Sequence, residues 1–156
     1  MANGVSVTRD HSAAILKAIA KLGKRDVLVG IPEATSSRPG EPVNNAELAY
    51  LLSTGSPADN LPARPFLIPG VEQSLPLITK TMEAGGAAAL SGNQKAADET
   101  LARAGILASN SVKRYVLDSS HFAPNAPLTV KLKGSDKPLI DKSELLRSVT
   151  YVVRDK

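Results

Sequence analysis

The stretch that decides the fold is QKAADETLARAGILASNSVKRYVL, residues 94–117. Leu101, Gly105, Ala108, Val112 and Tyr115 recur in it at intervals of four, three, four and three. That spacing puts them on one side of a long α-helix. Gly105 on that side admits a close neighbour, because it carries no Cβ. Upstream, Val71, Leu75, Ile78 and Met82 repeat at four, three and four. This predicts a second helix starting near Pro69, a residue suited to a first turn. Gly85-Gly86 and Ser91-Gly92-Asn93 are expected to weaken or break it. The two helices are expected to form an antiparallel hairpin.

Outward from this pair the chain changes character. Ile15, Leu16, Ile19 and Leu22 share a face of a helix over 10–24, which Asp10 or Ser12 starts and Gly23 ends. Asp26 to Ile31 reads as a short buried strand. Ser148 to Val153 is the strongest strand signal and its natural partner. A short helix over 44–53 is capped by Asn44 or Asn45, and a helical turn lies near Ser143 to Leu146. Leu128, Val130 and Leu132 alternate with Thr129, Lys131 and Lys133, as in a strand or an extended arm. Proline interrupts residues 32–44 and 53–66, which read as long loops. With no internal repeat or boundary, residues 1–156 read as one α+β domain. It combines a small, mostly antiparallel sheet, an N-terminal helix, a long helical hairpin and extended interaction loops.

Composition narrows the function. Of 156 residues, 42% are hydrophobic and 22% charged, as in globular domains generally. Aromatics are only 3%, too few for a base-stacking platform. Cysteine is absent and there are two histidines, which excludes disulfides, thiolate metal sites and a cysteine nucleophile. No cofactor or metal is expected. The net charge of +4 permits an acidic or nucleic-acid partner without requiring one. No leader pattern and no run of about 18 apolar residues is present, so neither a signal peptide nor a membrane span is expected.

The search for catalysis yields little. Asp10-His11-Ser12 and Asp118-Ser119-Ser120-His121 hold the residue types of a hydrolytic triad. Neighbours in sequence rarely face one another, and a triad is defined by geometry. Lys113, Arg114, Lys131, Lys133 and Lys137 crowd the C-terminal third. They read as a solvated face or as contacts to DNA phosphates. A small basic nucleic-acid-binding domain is thus an alternative, although no recognition-helix pattern accompanies it. The long loops point instead to assembly, since such segments order against a partner.

Three stretches together resemble the neck or tail-completion proteins of long-tailed bacteriophages. Pro62-Ala63-Arg64-Pro65-Phe66-Leu67 matches that family's PARPFL signature. Asn45 to Leu52, with Gly55 shortly after, resembles its helix ending in a Glu-Phe-Gly turn, although Leu52-Ser53-Thr54-Gly55 stands there here. Thr129, Lys133-Gly134 and Pro138-Leu139-Ile140-Asp141 resemble the sequence before its last strand, with Lys142-Ser143 replacing Thr-Gly.

The resemblance implies a virion protein that is not an enzyme, assembled in the host cytoplasm. It would form a ring, commonly six-fold, at the head–tail junction. Its partners would be copies of itself, the head-completion ring, and the tail terminator or tail tube. Double-stranded DNA would pass through its lumen without sequence-specific contact. Tail-terminator and head-closure proteins are alternatives from the same region. Arg38, Arg64, Pro65, Phe66 and Leu67 are then expected at subunit interfaces, with Arg64 in an intersubunit ion pair. Phe66 reads equally as an ordinary core residue. Lys131, Lys133 and Lys137 are expected to face the DNA.

Overall fold

The computed structural model describes residues 10–156. In chain order its elements are α1 (Ser12–Leu22), β1 (Arg25–Gly30), α2 (Glu33–Ser36), α3 (Asn45–Thr54), α4 (Leu67–Glu72), α5 (Leu75–Leu90), α6 (Gln94–Leu117), α7 (Pro127–Lys133), α8 (Glu144–Ser148) and β2 (Thr150–Asp155). The fold is α+β, mostly helical, with one two-stranded antiparallel sheet.

Helix α6 is the spine. The Asn93 side chain accepts a hydrogen bond from the Ala96 N–H and starts it. Ala97, Leu101, Ala104, Gly105, Ala108, Val112 and Val116 are buried along it. Helix α5 packs against α6, as expected of a hairpin. At Gly85 a Cβ would come within 2.8 Å of Thr100 Cγ2. On another part of α6, the Tyr151 ring of β2 lies where a Gly105 Cβ would stand. Phe66, Val112, Val116, Phe122, Leu145 and Val149 complete a core that joins α6 to the loops and α8.

The sheet pairs Arg25 with Asp155 through to Gly30 with Thr150. One face carries Val27, Val29, Tyr151 and Val153, all partly covered. The other is open: Leu28 and Val152, directly opposite, are 44% and 42% exposed. The strand read as buried is therefore covered on one side only. Beside them Arg154 Nη2 donates to Asp26 Oδ2 at 3.0 Å. That hydrogen bond holds the Asp26 carboxyl below the usual carboxylate range.

Three expectations need correction. Gly85-Gly86 does not break α5, because Gly85 makes the contact with Thr100. The break falls at Gln73-Ser74, where Pro76, lacking an N–H, suits the first turn of α5. The alternating stretch at 127–133 is helical, started by Pro127 and stopped by Gly134 at φ 67°. The 32–44 loop contains the turn α2. Ile15, Leu16 and Ile19 of α1 remain exposed, so its apolar face is not a core face within this chain.

Two glycines of the hairpin should respond oppositely to alanine. Gly105→Ala should lower stability by about 1–3 kcal/mol through overpacking against Tyr151. Gly86→Ala meets no atom within 4 Å and should raise it by roughly 0.5–1 kcal/mol through helix propensity. Urea midpoints of the two variants against the parent chain check both signs.

Candidate functional site

The Pro-Ala-Arg-Pro-Phe segment leads into α4, and its alternate side chains turn inward. Pro65 confines Arg64 to extended backbone. Arg64 is only 5% exposed and Phe66 is fully buried. Arg64 Nε donates to the Ala123 carbonyl at 2.9 Å, and Nη2 donates to that of Pro124 at 3.0 Å. Arg64 thus ties the 53–66 segment to the loop at 123–124 of its own chain. Phe66 fills the chain's own core. Pro65 and Leu67 stay nearer the surface. With Tyr50 and Ile68 they line an apolar hollow of 330 Å³.

Beside this segment lies a larger cleft of 1140 Å³. Helix α3 and residues 55–64 form one wall; α7 and residues 139–145 form the other. The α3 wall is fixed by a capping box. The Asn44 side chain accepts from the Ala46 and Glu47 N–H groups, and Glu47 accepts from the Asn44 N–H. Asn45, the next residue, is 3% exposed, and its Oδ1 has no hydrogen-bond partner. Arg38 reaches the cleft from the 32–44 loop. Its Nε lies 3.6 Å from Glu144 Oε2 without making a hydrogen bond.

The three lysines expected to face DNA are not equivalent. Lys131 and Lys137 are exposed. Lys133 is half-buried in the cleft wall, and its Nζ donates to the Lys137 carbonyl at 2.8 Å. Burial lowers its pKa first; nearby Asp141 opposes that and Arg64 adds to it. Lys133 therefore belongs with Arg64 and Asp141, not with an open basic face. Loss of solvent likewise lowers the Arg64 pKa.

The hydrolytic clusters lack a triad's wiring. Ser120 Oγ donates to Asp118 Oδ1 at 2.7 Å, and His121 Nε2 lies 3.1 Å from Asp118 Oδ2. The aspartate sits between serine and histidine, whereas a triad needs the histidine in the middle. The hydrogen bonds from Ser120, then His121, hold Asp118 below the usual carboxylate range. The His121 ring stacks on Tyr115 at 4.2 Å, which makes the cluster a cap on the end of α6. His11 precedes α1 and is exposed, while Asp10 Oδ1 accepts from the Ser12 N–H.

Comparison with protein-family models, with curated proteins and with solved structures finds no match. The site is thus read from its own chemistry. Sequence reasoning missed Asn45 and Asp141 as parts of one cleft. A signal existed at Asn44-Asn45: a helix start needs one cap, which leaves the second asparagine without that role.

Arg64→Gln should leave the Ala123 and Pro124 carbonyls without their donors. The expected loss is about 1–3 kcal/mol, read as a lower urea midpoint. Amide exchange should quicken at Val130, whose N–H donates to the Ala126 carbonyl at 3.0 Å. Unchanged exchange there would show that Arg64 does not hold the second loop.

Proposed function

We propose that this chain is a structural subunit of a phage virion, one copy in a ring at the head–tail junction through which double-stranded DNA passes. The identity of the assembly rests on the sequence resemblance. One physical observation supports the assembling part of it: the apolar surface left uncovered. The accessible surface is 10460 Å² for 16.3 kDa. A compact monomer of that mass exposes about 7500 Å².

The excess is partly apolar and falls in separate patches. Ile15, Leu16 and Ile19 line α1; Leu28 and Val152 stand on the open sheet face; Tyr50 and Ile68 flank the apolar hollow. Rings need two different faces per subunit, joined head to tail. Separate exposed apolar clusters of this kind are what such faces would be made from, since clustered apolar surface marks interaction sites. Pro65 and Leu67 keep their interface role in this reading. Arg64 and Phe66 act by shaping the segment that presents them.

The test is electron microscopy of lysates from a phage whose copy of this gene carries an early stop codon. Filled heads beside separate tails are expected. Overlong tails would mean a terminator instead, and normal infectious particles would overturn the junction role. Purified protein carrying Ile68→Asp should lose rings that the parent chain forms.

A further inference from the structure

We infer that the 1140 Å³ cleft between α3 and α7 is a binding site for an extended polypeptide segment that carries a carboxylate. Three observations converge on it, and none depends on the ring.

The first is unsatisfied chemistry. Buried side-chain polar atoms nearly always have partners. Among the described residues two make no hydrogen bond, Asn45 Oδ1 and Arg38 Nε, the latter facing Glu144 Oε2 at 3.6 Å, and both residues line this cleft. The second is backbone strain. Non-glycine residues at positive φ are uncommon, and a bulky one is an outlier. Among the described residues there are three, Asn60, Leu139 and Ser143 at 55°, 60° and 61°, and all line the cleft; Asn60 is an ordinary left-handed cap, so the strain lies at Leu139 and Ser143. Strain of this kind persists where a site needs a fixed shape. The third is charge. Arg64 is 5% exposed, and among the described residues it has no carboxylate within ion-pair distance and only main-chain carbonyls as acceptors. Among the described residues, Lys133 beside it donates only to a carbonyl.

These features specify the ligand. The Arg64 guanidinium and the Lys133 ammonium call for an anionic group. The Asn45 acceptor calls for an N–H donor. A peptide segment offers both: a carboxylate and main-chain amides. The volume exceeds that of ordinary small-molecule pockets, about 300–1000 Å³, and suits several residues in extended form. A nucleic acid does not fit. Glu41, Asp59, Asp141 and Glu144 balance Arg38, Arg64, Lys133 and Lys142 on the walls, so the cleft offers no net positive field to a chain of phosphates, while Arg64 and Lys133 can still take a single carboxylate.

The experiment is an NMR titration of the intact protein, following backbone amides of Ala63, Ala126 and Ser143 and the Arg64 side-chain Nε–H. Three probes are used: acetyl-Gly-Ala-Glu-Val-Ala-Gly-amide, its Gln counterpart, and the Gln peptide with a free C-terminal carboxylate. Saturable shifts are expected with a carboxylate peptide. Binding should be at least about tenfold weaker to the neutral one. The first and third probes distinguish a side-chain from a terminal carboxylate. Lys133→Gln, which leaves the Arg64 tie intact, should weaken the tighter peptide by a similar factor. Equal binding of all three probes, no saturable shift at these positions, or displacement by a short DNA duplex would each overturn the inference.

Discussion

The close approach of α6 to its neighbours sets the dimensions of everything else. The chain has two phenylalanines and no tryptophan, so bulky side chains cannot fill much space. Core density must then come from bringing backbones together. Ala97, Ala104, Gly105 and Ala108 make α6 thin enough for this. Tyr151 lies over Gly105, and Thr100 meets Gly85. Both phenylalanines are placed where α6 no longer offers small residues: Phe66 and Phe122 pack with Val112 and Val116 near its C-terminal end. That same end receives the Pro-Ala-Arg-Pro-Phe segment, so the cleft takes its position from the spine.

Much of this was legible. The α6 limits, the Asn44 cap, the pairing of the two strands and the role of Gly105 follow from periodicity and cap chemistry. What misled was local pattern without context. A glycine pair reads as a helix break, yet Gly85 is required by a contact with Thr100, a residue of another helix. Six alternating residues at 128–133 fit a strand, yet Pro127 and Gly134 bound a helix there. Leu128 and Leu132 then share one exposed face at 67% and 80%, as residues four apart on a helix do. The direction of Arg64 and Phe66 was open in the sequence, because alternation in an extended segment gives two sides without saying which is inner. The cleft was not legible at all. Its walls come from segments far apart in the chain, and its marks are unmet hydrogen bonds and φ angles, which no residue type announces.

Arg64 has two duties that a lysine could not combine. Its planar head keeps separate donors for separate acceptors. Two of its nitrogens fix residues 123 and 124, while its charge remains without an acidic partner at the edge of the cleft. The 122–137 segment hangs on that tie, with Asn125 Nδ2 donating to the Asp136 carbonyl to close its own base. Structural and recognition roles therefore meet in one side chain. The conformational strain at Leu139 and Ser143 lies on the opposite wall, close to where α8 enters the core through Leu145.

The sheet has a kinetic consequence. Its strands lie on either side of almost the entire helical part, so Arg25 meets Asp155 only after a very long loop closes. The α5–α6 hairpin needs only the short turn at Ser91-Gly92-Asn93. Local contacts of this kind form early, and pairings remote in sequence carry the entropy of closure. The helical hairpin is thus the natural nucleus, and Tyr151 arrives over Gly105 as a late clasp. Interactions made after the transition state act chiefly on the rate of unfolding. The ring of one tyrosine on a bare glycine is then less a reason why the chain folds than a reason why it stays folded.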